Sequence, residues 1–126
     1  MNLKFINPIV FVKDIHISKA FYAETLGLKV IEDHGAFVLF ENHLGIHQAH
    51  ELAATIWKAD APSDTEQPQG RHNLLLYFET DALEQVFARL KENVKLIHPV
   101  ERQAWGQAVF RFYDPDGHVI EIGEPL

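Results

Sequence analysis

Apolar and polar residues follow one another along this chain in an order that occurs twice. Residues 7–12 (NPIVFV) are β-branched and aromatic and stop at Lys13-Asp14, which fits a strand. Ile17, Phe21, Leu26 and Leu28 then recur at near-helical spacing, and Gly27 suits the left-handed end of a helix over 14–27. Residues 29–32 make a short strand. Asp33-His34-Gly35 reads as a turn, 36–41 (AFVLFE) as a strand, Asn42-His43 as a second turn, and 44–50 (LGIHQAH) as a fourth strand. Residues 58–71 (KADAPSDTEQPQGR) carry two prolines, a glycine and many polar groups, and read as a linker or mobile loop.

Past residue 71 the pattern restarts. Residues 73–79 (NLLLYFE) form a strand, and 83–93 an amphipathic helix with Leu83, Val86, Phe87 and Leu90 on one face. Strands follow at 95–98, 107–113 and 118–123. The last two flank Asp114-Pro115-Asp116-Gly117, a turn in which proline presets φ, aspartate caps the backbone and glycine permits a positive φ. LGLKVI (26–31) corresponds to ENVKLI (92–97), and Phe11–Asp14 to Phe78–Asp81, so the same element is flanked alike in both halves. This predicts a duplicated βαβββ unit of roughly 60 residues and an α+β fold, with one module at 1–57, a linker at 58–71 and a second module at 72–126. A helix covers one face of each sheet, and the two uncovered faces are expected to form a cleft.

Alternation along 108–113 puts Val109, Arg111 and Tyr113 on one face and Ala108, Phe110 and Phe112 on the other. The second set reads as core beneath the helix, the first as cleft. The same logic groups Asn73, Leu75, Tyr77 and Glu79.

Composition narrows the chemistry. Of 126 residues 47% are apolar and 23% charged, enough to bury a core. Eleven Lys and Arg against eighteen Asp and Glu give a net charge of −7, which argues against nucleic acid or an anionic membrane as partner. No cysteine is present, so disulfides, thiolate metal sites and a cysteine nucleophile are excluded. No apolar run approaches a membrane span, no export pattern opens the chain, and a reduced cytoplasm is the expected location. Eight histidines leave a metal site on His, Asp, Glu or neutral oxygen open.

Two segments carry a resemblance. VKDIHISKAFYAETLGLKV resembles the opening signature of the glyoxalase/bleomycin-resistance/extradiol-dioxygenase family, also called the vicinal oxygen chelate family. WGQAVFRFYDPDGHVIEIGE resembles its closing signature. The resemblance implies the paired βαβββ fold. It leaves the activity open, since that fold carries isomerases, lyases, dioxygenases, thiol transferases and drug binders. In metal-dependent members each unit supplies one ligand from its first strand and one from its last, and the metal acts as a Lewis acid or activates dioxygen.

Carried over by position, the first ligand falls on Asn7, seven residues before Asp14, where only a weak neutral oxygen is offered. The second falls on His47. The third falls on Leu75, or Leu74, neither of which binds metal. The fourth falls on Glu121, four residues after the DPDG glycine. Asn73, His72 and His50 lie near enough to supplement them. The resemblance thus implies a partly degenerate site with His47 and Glu121 as ligands of one divalent metal (zinc, nickel, manganese or iron). In a dry cavity Glu121 could also act as general base.

Trp105, Arg102 and Arg111 could stack on an aromatic ligand and pair its acid group, or could merely pack a loop and an outer face. Trp57 reads as an anchor for the 58–71 loop or as a lid. His118 reads as satisfied by backbone, and His16, His34, His43 and His98 as solvated. Two functions follow from the resemblance. One is a small lyase, isomerase or oxygenase acting on an oxygenated metabolite through His47 and Glu121. The other is a metal-free binding protein of the bleomycin-resistance kind, holding a cationic or aromatic ligand with Asn7, Leu75, Tyr77, Trp105 and Arg111. A homodimer is expected, because a second chain often completes the cleft in small members.

Overall fold

A computed structural model describes all residues, 1–126. The chain divides into two units, Met1–Gln69 and Gly70–Leu126.

In unit 1, β1 (Ile9–Val12) leads into α1 (Ile15–Ala20), followed by β2 (Val30–Asp33), β3 (Phe37–Phe40) and β4 (Gly45–Gln48). The sheet order is β1-β4-β3-β2, with β1 parallel to β4 and the other pairs antiparallel. Asp14 caps α1 by accepting from the backbone N–H groups of His16 and Ile17. The helix then widens into a π turn over Phe21–Thr25 and stops at Gly27, whose φ is +76°. Val10, Val12, Val38, Phe40 and Ile46 are buried, together with Tyr22, whose ring lies 5.7 Å from that of Phe40. The opposite sheet face keeps Ile9 exposed and Phe11, Phe37 and His47 half-buried.

Unit 2 repeats the plan. β5 (Leu75–Glu79), α3 (Leu83–Leu90), β6 (Lys95–Arg102), β7 (Ala108–Tyr113) and β8 (Val119–Gly123) form a sheet ordered β5-β8-β7-β6, the same order as in unit 1. Its core is Phe110, Phe112, Ile120 and Ile122, and Phe110 meets Phe87 of α3 edge to face at 5.1 Å. In the 114–117 turn the Asp114 carboxylate accepts from the N–H groups of Asp116 and His118, and Gly117 has a φ of +83°.

Equivalent residues stand in equivalent registers. Phe11 pairs with His47 across β1–β4, and Tyr77 pairs with Glu121 across β5–β8. His47 and Glu121 therefore occupy the same place in their own units, and Phe11 is the counterpart of Tyr77, one residue off the Phe11–Phe78 correspondence read from the sequence.

Three local features depart from the sequence reading. Residues 49–57 form a further helix, α2 (Ala49–Trp57), so His50 is helical and the fourth strand ends at Gln48. No capping side chain marks its start. The Gln48 amide is used elsewhere, donating to the Lys13 carbonyl and accepting from the Ile15 N–H. Next, residues 58–69 belong to unit 1: Lys58–Asp60 form a 3₁₀ turn and Thr65 is buried beside His50. Last, β6 runs on through Pro99 to Arg102. It is an edge strand with an irregular register, where a missing N–H is tolerated. No helix is long and apolar enough to cross a membrane.

Candidate functional site

The uncovered face of the unit 2 sheet holds two polar networks. The first is centred on Arg111 in β7. Its register partner on β8 is Glu121, and Arg111 Nε donates to Glu121 Oε1 at 2.7 Å. Arg111 Nη2 donates to Gln103 Oε1 at 3.0 Å, and Nη1 lies 2.9 Å from His98 Nε2. A guanidinium can only donate, so His98 Nε2 accepts. The imidazole proton then sits on Nδ1, which donates to the Pro99 carbonyl at 2.7 Å. Glu121 is 5% exposed, so its charge is matched inside the sheet by the guanidinium beside it.

The second network is centred on Gln107, which is 5% exposed. Its Oε1 accepts from Trp105 Nε1 at 2.9 Å, and its Nε2 donates to the Tyr77 hydroxyl and to the Glu124 carbonyl, each at 2.7 Å. Gly123 makes room for it: a Cβ there would stand 2.7 Å from Gln107 Nε2. The Tyr77 hydroxyl in turn donates to Glu79 Oε2 at 2.6 Å. That carboxylate, accepting the phenolic proton, holds Tyr77 above its ordinary value of 10.0; desolvation and the negative charges of Glu79 and Glu121 push the same way. One buried amide thus fixes the polar tips of two aromatic side chains that remain substantially open to solvent. Leu75 lies on the same face and is also exposed.

On the uncovered face of unit 1 the rings form a row. Trp57, at the end of α2, lies 6.1 Å from Phe11. Phe37 lies 6.0 Å from both His47 and His34. The backbone sets this row, since Phe11 and Phe37 are the two register neighbours of His47.

The ligand-binding residues expected in unit 2, namely Leu75, Tyr77, Trp105 and Arg111, all lie on or beside its uncovered face. Leu75 and Tyr77 share β5, and Gln107 links Tyr77 to Trp105. Arg102 is separate, bonding the Gly106 carbonyl and Glu124. His98 is not solvated as expected; it orients Arg111. Gln103 and Gln107 escaped the sequence reading. The signal for Gln107 was its place at the start of an alternating strand and two residues after Trp105. For Gln103 we find none, because its contact depends on how far β6 extends.

The positions that the resemblance assigns to a metal are poorly furnished. Asn7 Nδ2 donates to the Pro8 carbonyl at 2.8 Å, and Leu75 has no donor atom. Glu121 is taken up by Arg111. His47 Nδ1 lies 3.0 Å from the Gln48 carbonyl, so it donates and leaves the Nε2 lone pair available. No group of three or more His, Asp or Glu side chains that could hold a metal ion occurs in the chain. An open catalytic site ordinarily uses three protein ligands, and these donors fall short of that number.

Comparison with known proteins agrees with this architecture. Residues 5–126 match the family model of the glyoxalase-like domain. No protein of curated function matches the chain. Among solved structures, a protein of unknown function from Agrobacterium tumefaciens str. C58 is 52% identical, with a TM-score of 0.91 over 100% of this chain and 97% of that one. A glyoxalase/bleomycin resistance protein/dioxygenase from Nocardioides is 21% identical, with a TM-score of 0.77 over 100% and 86%. A lactoylglutathione lyase from Agrobacterium tumefaciens is 21% identical, with a TM-score of 0.71 over 98% and 95%. The last two are similar in fold.

Proposed function

The chain belongs to the glyoxalase-like domain family, and from that premise we propose that it is a metal-independent binding protein for a small, flat organic molecule. The observation that carries this reading is the Arg111–Glu121 pair. On the strand position where metal-dependent relatives place a ligand, this chain has a carboxylate already neutralised by a guanidinium from the adjacent strand. Binding then falls to Trp105 and Tyr77. Their orientation is fixed before any ligand arrives, so little conformational entropy is lost on contact. Two aromatic faces beside the Glu79 carboxylate favour an aromatic ligand, and a cationic one above others.

The test uses Trp105 as its own reporter. In a Trp57→Phe background it is the only indole. N-methylquinolinium should quench it saturably, and Gln107→Leu or Tyr77→Ala should weaken that binding about tenfold, the equivalent of ~1.4 kcal/mol. Non-saturable quenching that is the same in all three proteins would overturn the proposal.

A second reading, a metal-dependent lyase, isomerase or oxygenase, rests on His47. Its Nδ1 is committed to backbone and its Nε2 is free, as in a histidine prepared for a metal. Metal-dependent stabilisation that requires His47 would favour it.

A further inference from the structure

A recess of about 290 Å³ opens in unit 1 between α2 and residues 61–66, and no strand residue lines it. One wall comes from α2, where His50 and Ala54 stand four residues apart and share a helix face. The other wall is braced by its own chain. The Ala61 N–H donates to the Lys58 carbonyl, and Gln69 Nε2 donates to the carbonyls of Asp64 and Gln67 at 2.9 and 2.8 Å. Thr65, 6% exposed, ties the walls together, with its Oγ1 3.2 Å from His50 Nδ1. The recess is therefore built before any ligand arrives.

Its lining is divided. Ala54, Ala61 and Pro62 contribute short apolar side chains, and His50, Ser63 and Glu66 contribute polar ones. The Glu66 carboxylate and the Ser63 hydroxyl make no hydrogen bond within the chain, and His50 uses only Nδ1. When Nδ1 donates to Thr65 Oγ1, Nε2 carries a lone pair. The recess then offers three acceptor groups, of which one is charged.

We infer that this recess binds a primary ammonium on a short alkyl chain. Such a cation carries three N–H donors and one positive charge, which match three acceptors and one carboxylate. The alanine and proline side chains suit its carbon chain, and the volume lies at the small end of ligand pockets. No Trp, Tyr or Phe lines the recess, so a quaternary or aromatic cation gains little there. The site shares no residue with the Trp105–Tyr77 pair.

Proton–nitrogen NMR titration of the full chain with n-butylammonium chloride tests this, with n-butanol and sodium butyrate as neutral and anionic controls at matched ionic strength. The amides of residues 50–54 and 61–66 should shift saturably, with a dissociation constant of about 1 mM, within reach of so few heavy atoms. Glu66→Gln should weaken binding at least tenfold. Ala54→Leu should fill the recess and abolish binding while the rest of the spectrum stays in place. Glu51→Gln, on α2 but outside the lining, should bind as the wild type does. Absence of saturable shifts at these amides, equal binding of n-butanol, or equal losses in Glu51→Gln and Glu66→Gln would overturn the inference.

Discussion

Arg111 and Glu121 face each other across two adjacent strands, and the guanidinium of one meets the carboxylate of the other at 2.7 Å. Side-chain exposure is 23% for the arginine and 7% for the glutamate, so water does little to screen either charge. Replacing Arg111 with leucine would leave a buried carboxylate unmatched. We expect Arg111→Leu to lower unfolding free energy by about 3–5 kcal/mol in urea titrations. Arg111→Leu/Glu121→Leu should recover most of that loss. Equal losses in the single and double variants would show that the pair is not coupled.

The Gln107 side chain bonds three groups at once, so its removal should be felt in stability and in the two rings. Gln107→Leu should cost about 1–3 kcal/mol, because the Trp105 N–H and the Tyr77 hydroxyl each lose a partner. The fluorescence anisotropy of Trp105, read in the Trp57→Phe background, should fall as the indole gains freedom. Unchanged anisotropy would mean that the amide does not hold the ring.

Tyr77 gives a pH signature. Its folded value is raised, chiefly by the hydrogen bond to Glu79, so the folded state holds this proton more tightly than the unfolded chain does. The associated stability is present at neutral pH and is lost as pH rises from the ordinary value of 10.0 through the raised one. Glu79→Gln should move the Tyr77 phenolate transition, followed by ultraviolet difference absorbance, to lower pH. A transition that stays in place would remove Glu79 as the cause.

Gly70 should tolerate no side chain. A Cβ there would stand 2.5 Å from the backbone carbonyl of Gly117 and 2.8 Å from that of Asp116, and the Gly70 N–H donates to the latter. Gly70→Ala must displace main chain rather than a flexible side chain. A loss of about 1–3 kcal/mol or more is expected in thermal or urea unfolding. Wild-type stability in this variant would contradict the packing described for the 114–117 turn.

Much of the fold was legible because its signals are local. Alternation gave the strands, Asp14 and Gly27 marked the ends of the first helical segment, and the repeated flanks of that helix disclosed the duplication. The faces of β5 and β7 could be read from period-two logic, and Arg111 indeed lies opposite the helix-covered face. What escaped depended on contacts distant in sequence. α2 lacks a capping side chain because Gln48 reaches back to Lys13 and Ile15, over 30 residues earlier. His98 read as a solvated residue at the end of strand 95–98, whereas β6 extends past Pro99 and His98 lies against Arg111. Glu121 was legible as an inward-facing carboxylate. Its partner was not, since pairing across β7–β8 follows from a register the sequence does not state.

Arg111 satisfies Glu121, and the binding function proposed above requires no metal. The most direct test is the melting temperature of metal-stripped protein titrated with zinc, nickel, manganese and iron(II), beside His47→Ala and Glu121→Ala. A ligand that binds the native state raises apparent stability by mass action. We predict no saturable rise with any of the four metals in the wild type. A saturable rise in the wild type that disappears in both His47→Ala and Glu121→Ala would contradict the claim.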